Sequence, residues 1–209
     1  MVYDFSKRLV DIIGSVIGLI ILSPLLLLVA IAIKLDSPGP VFADTPMRAG
    51  KSGKLFKIYK FRSMVQNAHE ILENNPKLLE EYKKNSYKIF NDPRVTNVGK
   101  FIRRFSIDEF PQFLNILKGE MSLVGPRAYY PYELEEQQQK YPTSRQFVKI
   151  ILSGKPGVTG LWQVSGRSEI NFDKRVKMDA QYVKRRSLFY DFWIMLKTIP
   201  AVLSGRGAI

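Results

Sequence analysis

From Ile12 to Ile33 the chain runs 22 residues without a charge, IIGSVIGLIILSPLLLLVAIAI, and only then does it settle into shorter mixed patterns. A helix of that length spans a hydrocarbon core of about 30 Å, so the segment is read as a membrane helix. Its length, its central proline and the lack of a small-x-small site argue against a cleaved leader, and the segment is expected to be retained. At its middle, Ser23-Pro24 predicts a kink or break: Pro24 cannot donate to the carbonyl of Ile20, and the Ser23 hydroxyl is placed to help satisfy the freed group. Lys7 and Arg8 precede the run, while Lys34, Arg48, Lys51 and Lys54 follow it, so the positive-inside rule puts both flanks on the cytoplasmic side. A re-entrant hairpin satisfies both proline and charges, whereas a kinked straight crossing satisfies the proline alone. The residues leave both open.

After the turn-rich Asp36-Ser-Pro-Gly-Pro40, two alternating runs, Val41 to Met47 and Leu55 to Met64, predict a β-hairpin closed by Arg48 to Lys54. Gly50-Lys51-Ser52 is not a phosphate-binding P-loop, because the first glycine of that motif would fall at Thr45. Lys57, Lys60 and Arg62 form a basic stripe, either solvated charge or a contact for phosphate or lipid headgroups. Gln66 to Ser86 reads as helix interrupted at Pro76, and Asn91-Asp-Pro-Arg94 as a turn. Phe110, Phe113, Leu114 and Leu117 fall at i, i+3, i+4 and i+7, one face of a short helix that Gly119 should stop. The helix begins either at Ser106, with Glu109 completing a capping box, or at Asp108, with Pro111 in the first turn. Both choices place Asp108 and Glu109 at a helix N-terminus. Capping is the ordinary reading of such a pair; the same helix end also favours a charged carboxylate and attracts phosphate. Arg103 and Arg104, just upstream, are salt-bridge partners or a diphosphate clamp.

Past Tyr129 to Tyr132, a glutamate- and glutamine-rich helix is expected to be solvated. In Lys155 to Arg167, KPGVTGLWQVSGR, the glycines permit close backbone approach to a ligand or positive φ, and Arg167 could reach a phosphate. Helices are expected over Phe172 to Arg186 and Leu188 to Leu203. The second is very apolar, but at 16 residues with Asp191, Lys197 and Pro200 inside it suits the interface or the underside of the domain better than a crossing.

Composition narrows the chemistry. The 209 residues suffice for one domain and an appendage. With no cysteine, disulfides, thiolate metal sites and cysteine nucleophiles are excluded, and the single histidine, His69, reads as surface or structural. Lysine and arginine number 32 against 19 acidic residues, a net charge of +13 that calls for an anionic partner. The membrane segment turns that expectation from nucleic acid toward lipid and phosphorylated substrates.

Three motifs then stand together: Ser106-Ile-Asp-Glu-Phe-Pro-Gln112, Met121-Ser-Leu-Val-Gly-Pro-Arg127 and Lys155-Pro-Gly-Val-Thr-Gly-Leu-Trp-Gln163. They resemble the bacterial sugar transferases, the monotopic phosphoglycosyl transferases, nearest in pattern to undecaprenyl-phosphate galactose and glucose phosphotransferases. The likeness runs from Lys7-Arg8 and Ser23-Pro24 through Ser37-Pro-Gly-Pro40, Lys60-Phe-Arg-Ser-Met64 and Asn91 to Arg94 as far as Gly207-Ala208. It implies an α+β fold: a broken, re-entrant membrane helix over residues 1–36, then one mainly helical cytosolic catalytic domain over 37–209 with a small β-hairpin and interfacial amphipathic helices. It implies transfer of a sugar-1-phosphate from a UDP-sugar to polyprenol (undecaprenyl) phosphate, with UMP released, at the cytoplasmic face of the bacterial inner membrane. Asp108 would be the nucleophile, forming an aspartyl phosphosugar. Glu109 would complete the dyad, the two carboxylates would hold Mg²⁺, and Arg103, Arg127, Arg167, Lys60 and Arg62 would bind phosphate or nucleotide-sugar. Two departures stand out: Ala128 where the family commonly has proline, and Glu120 where it often has aspartate. No nucleic acid partner is expected, and a homo-oligomer is neither required nor opposed. A basic membrane-anchored module that binds lipid headgroups or nucleic acid is the alternative, although it leaves Asp108-Glu109 without a purpose. The sequence tilts toward galactose or glucose, with an N-acetylated sugar open.

Overall fold

The computed structural model describes residues 2–85, 89–166 and 170–205. Its first element, α1 (Val2–Asp36), is a single helix that carries Pro24 inside it. The break expected at Ser23-Pro24 is therefore not an interruption of the helix. The reason is local: Ser23 Oγ donates to the Ile20 carbonyl at 2.8 Å, replacing the bond that Pro24 cannot make.

The chain continues through β1 (Arg48–Ala49), a 3₁₀ turn (Lys51–Gly53) and β2 (Leu55–Phe56), then α2 (Ala68–Glu73), α3 (Pro76–Lys84) and α4 (Asn97–Arg104). A second 3₁₀ turn (Ile107–Gln112) leads into α5 (Phe113–Lys118), followed by β3 (Ser122–Val124), α6 (Pro131–Lys140) and α7 (Arg145–Ile151). Last come β4 (Gly157–Thr159), α8 (Leu161–Ser165), α9 (Phe172–Arg185) and α10 (Leu188–Leu203). The fold is mainly helical with two small sheets, as an α+β reading requires.

Sequence signals account for most of these bounds. Pro76 opens α3 with Asn75 as its cap, Thr96 accepts from Gly99 N to start α4, and Asn171 and Ser187 cap α9 and α10 in the same way. Gly119, at φ 81°, ends α5. The hairpin is antiparallel as expected, but its regular pairing, Arg48 with Phe56 and Ala49 with Leu55, joins the start of the predicted second strand to the first two residues of the predicted connection. Farther down only the Phe42–Phe61 bridge and isolated bonds such as Ala43 N to Lys60 O hold the two arms together. Helix α6 is less solvated than its composition suggests: Glu133, Leu134 and Gln137 are buried, and Glu133 faces Arg175.

The parallel pair β3–β4 was not anticipated. It joins two of the glycine-bearing motifs, with Ser122 opposite Gly157 and Val124 opposite Thr159. A side chain at Gly157 would overlap the Gly125 nitrogen, and one at Gly160 would overlap the Gly125 carbonyl. These glycines let two stretches of main chain touch. Gly157→Ala should thus lower the unfolding free energy by about 3 kcal/mol or more, the range of forced overlap in a core. Gly53→Ala, at φ 76° with open space around it, should cost only about 1 kcal/mol. Thermal melts of both variants in detergent check the contrast.

Helix α1 docks at both ends on the same body. Near its start, Lys7 pairs with Asp11 at 2.7 Å, and Asp11 Oδ1 accepts from Ser122 Oγ and Leu123 N, each at 3.0 Å. Arg8 donates to the Ile116 and Leu117 carbonyls, capping the end of α5. Tyr3 reaches Asp191 on α10, which also accepts from Tyr182. Near its finish, Val29 and Ile33 pack with Phe61, Ile102 and Ile107 in one apolar cluster. Between Ser15 and Val29 no residue of the helix is buried, and Ile20, Ile21, Pro24 and Leu25 all face outward. The apolar exposure continues on α10, whose Asp191 and Ile194 are buried while Phe189, Phe192, Leu196, Ile199 and Leu203 are exposed.

Candidate active site

The Asp108-Glu109 pair sits in the 3₁₀ turn rather than at the head of the single amphipathic helix that the periodicity predicts. Pro111 and the tighter turn divide that helix, and α5 begins only at Phe113. Ser106 adopts left-handed backbone, φ 54°, and its side chain makes no capping bond. Capping chemistry is therefore not what holds these carboxylates.

What holds them is the second arm of the hairpin. Phe61 N donates to the Asp108 carbonyl at 2.9 Å, which fixes the turn alongside Lys60. The Lys60 ammonium then lies 2.8 Å from Asp108 Oδ2 and 3.5 Å from Glu109 Oε1. Ile107 anchors the turn from behind, in the cluster with Val29 and Ile33 of α1. Asn115, fully buried, clamps the same arm: its Oδ1 accepts from Tyr59 N, and its amide donates to the Lys57 carbonyl and to Glu120. Sequence reading overlooked Asn115, because a lone asparagine on a helix carries no spacing signal. The same bond gives Glu120 its role, so an acidic side chain suffices there.

Electrostatics make Asp108 the unusual member. It is 2% exposed, and Oδ2 has no well-aligned hydrogen-bond donor. Burial pushes its carboxyl above the usual carboxylate range; Lys60 pulls it back, Glu109 raises it further, and the net direction is up. Arg103 contributes a smaller favourable charge, and it forms no ion pair among the described residues. The cation that stabilises the anion is thus Lys60, in place of the helix end and arginines expected from sequence. Lys60 is itself shifted upward, because the two carboxylates outweigh its own burial. Glu109 is more open, its side chain 36% exposed.

The remaining predicted residues divide. Arg62 is buried, with its terminal nitrogens on the carbonyls of Ile33, Ser37 and Pro38. It caps the end of α1 and is not presented to a phosphate: the arm lacks a regular pleat, so the expected stripe with Lys60 does not form. Arg127 follows the Gly125-Pro126 turn. Its backbone N–H donates to Asp179 Oδ2 at 3.0 Å, Tyr129 donates to the same oxygen, and its guanidinium lies 5.2 Å from the centre of the Trp162 ring. Asp179 is buried, which pushes its carboxyl up to about 7 against the two bonds it accepts from Arg127 N and Tyr129. Burial pulls the Arg127 guanidinium down, but the charge of Glu133, with smaller contributions from Tyr129, Tyr130 and Glu109, outweighs it, and the net direction is up. Arg167 and Gly207-Ala208 lie outside the described residues. His69 is on the surface, beside Glu73.

Two adjacent carboxylates are a sparse metal set, and among the described residues no third histidine, cysteine, aspartate or glutamate joins them. They nevertheless suit Mg²⁺, which keeps several waters and commonly takes its other oxygens from substrate phosphates. Glu109, its side chain 36% exposed, is the carboxylate open to such an ion, while Asp108 Oδ2 faces the Lys60 ammonium at 2.8 Å.

A buried carboxylate beside a more exposed one, bridged by lysine on a domain that carries a long apolar helix, defines an acidic-dyad site. The chain matches the bacterial sugar transferase family over residues 2–205 and belongs to it. It is 45% identical over 208 residues to an undecaprenyl-phosphate galactose phosphotransferase of Salmonella typhimurium, covering 98% of this chain and 42% of that protein. It is 42% identical over 207 residues to the exopolysaccharide production protein ExoY of Rhizobium meliloti, covering 97% of this chain and 88% of the relative. It is also 40% identical over 210 residues to a UDP-N-acetylgalactosamine-undecaprenyl-phosphate N-acetylgalactosaminephosphotransferase of Aeromonas hydrophila, covering 99% of this chain and 46% of that protein. The chain thus spans less than half of two of these relatives and most of the third.

Proposed function

We propose that the protein transfers a sugar-1-phosphate from a UDP-sugar to polyprenol phosphate, releasing UMP and opening the assembly of a surface polysaccharide. The observation that carries this reading is the Lys60 bridge between a buried Asp108 and a half-open Glu109. In the first step the Asp108 carboxylate attacks the phosphorus that bears the sugar; the P–O bond to the UMP phosphate breaks and UMP leaves. In the second, an oxygen of the lipid phosphate attacks the aspartyl phosphosugar, and Asp108 departs as carboxylate. Lys60 keeps Asp108 ionised and offsets charge as anion approaches anion. Asp108 and Glu109 would hold Mg²⁺, which when bound neutralises diphosphate charge. Arg127, with Arg103 nearer the dyad, would orient the phosphates.

The anchor supports the same reading. Tyr3 and Lys7 at one end of α1, and Val29 and Ile33 at the other, all touch one domain, whereas Ile20 to Leu25 stand clear of it. A helix that enters and leaves by one leaflet, with Pro24 deepest, accounts for this pattern, and it sets the domain on the cytoplasmic face of the inner membrane. Cysteines placed at positions 4 and 54 should therefore both be shielded from an impermeant thiol reagent in intact cells and both react in inverted vesicles. Labelling of position 4 alone from outside would sink the re-entrant topology.

The activity is tested with purified protein, Mg²⁺, polyprenyl phosphate and a panel of UDP-sugars. UMP release that requires the lipid acceptor is expected with galactose or glucose donors, and the Aeromonas relative makes UDP-N-acetylgalactosamine a necessary member of the panel. No UMP release with any donor would overturn the reading.

A further inference from the structure

A small cavity of about 80 Å³ opens beside Glu109, between the 3₁₀ turn, the β4–α8 segment and the second half of α10. Its walls are mostly apolar: Phe110, Val158, Val164, Ala201 and Val202. Glu109 and the Gln163 amide supply its polar edge, and Gln163 Oε1 is enclosed without a hydrogen-bond partner. The hydroxyls of Thr159 and Thr198, 2.7 Å apart, tie β4 to α10 across it. Neither the dyad nor the donor-binding arginines account for this apolar space, which is too small for a nucleotide.

We infer that the cavity receives the isoprene unit nearest the phosphate of the polyprenyl phosphate acceptor. The inference rests on the transfer reading above and assigns its acceptor a place. An acceptor of this kind has two opposed requirements: its phosphate must reach Asp108, and its hydrocarbon must stay out of water. Only a path that is apolar along its length and ends at the dyad meets both. The cavity is bounded by α10 on one side and by Glu109 of the dyad on another. Ala201 and Val202 line it, while Ile199 and Leu203, their neighbours on α10, belong to the exposed apolar face of that helix. At the other end Glu109 stands next to Asp108 and 3.5 Å from the Lys60 ammonium. An apolar unit in the cavity thus leaves its phosphate among Lys60, the arginines and the dyad.

Ala201→Phe and Val158→Phe fill the space from two different elements, neither of which carries the dyad. For each, two rates are measured: exchange of labelled UMP into UDP-sugar without acceptor, which reports the first step, and transfer as polyprenyl phosphate is varied. The expected result is exchange within about twofold of wild type and a KM for polyprenyl phosphate raised about tenfold or more. An unchanged acceptor KM overturns the assignment, as does a parallel loss of exchange and transfer in both variants while they melt at the wild-type temperature. Should the variants not fold, the wild-type protein decides by photolabelling with a polyprenyl phosphate that bears a diazirine on its first isoprene unit. Label on Phe110, Val158, Val164 or residues 201–202 supports the site, and label confined to α1 refutes it. Wild type that neither exchanges nor transfers would remove the transferase reading, and the assignment with it.

Discussion

Asp108→Asn should reduce transfer by on the order of 10³-fold or more, since the amide keeps the shape of the turn and cannot attack phosphorus. The same variant should fold at least as well as the parent. A carboxyl whose folded pKa is raised contributes stability that is present below its unfolded value, about 3.9, and lost as pH rises through the folded value. At neutral pH the parent therefore bears a cost that asparagine does not. The melting temperature of Asp108→Asn minus that of wild type should grow as pH is raised from about 4 toward neutrality. A variant that is inactive because it is misfolded would show the opposite trend, a lower melting point throughout. Full transfer by Asp108→Asn would end the nucleophile assignment.

Lys60→Met is expected to be the most damaging single change outside the dyad. It leaves a buried carboxylate beside a second anion with only Arg103 nearby, and breaking a buried pair costs about 3–5 kcal/mol when one partner is stranded. The Lys60 side chain is 28% exposed, so the low end of that range applies. Activity should fall by about 100-fold or more. Its pH profile identifies the cause: without the ammonium Asp108 holds its proton to higher pH, so the acid limb of kcat/KM should move upward. Combining Lys60→Met with Asp108→Asn should restore much of the lost stability, because the stranded charge is gone, while leaving transfer absent. An acid limb that stays in place would mean that Lys60 supports structure alone.

The parts of this molecule that sequence disclosed are those governed by near neighbours. Pro76 divides two helices, Asn171 and Ser187 start two others, and α10 occupies the run from Leu188 to Leu203 that its apolar pattern outlines. Even the substitution of Ser23 for the bond missing at Pro24 is a matter of four residues. What stayed hidden depends on distant partners. Three-residue strands such as β3 and β4 are too short to display a period, so the glycines at 157 and 160, read as room for a ligand or for turn geometry, in fact meet the backbone of Gly125. Lys60 and Arg62 looked alike, two cations on one stripe, and the fold sends one to the dyad and the other to the end of α1. The carboxylate pair was singled out through family likeness, but its local setting was not legible. Periodicity gave Asp108 a helix terminus, and the structure gives it a tight turn, burial and a lysine from 48 residues upstream.

The docking of α1 also orders the events of biosynthesis. Tyr3, Lys7 and Asp11 leave the ribosome well before their partners, which include Ser122, Leu123 and, 188 residues after Tyr3, Asp191. Until α10 has been made, the polar face of the first helix has no complete set of bonds. Helix α1 is therefore made before α10 yet locked only after it, and a ribosome halted before Asp191 would carry a helix whose polar groups are still open to other partners.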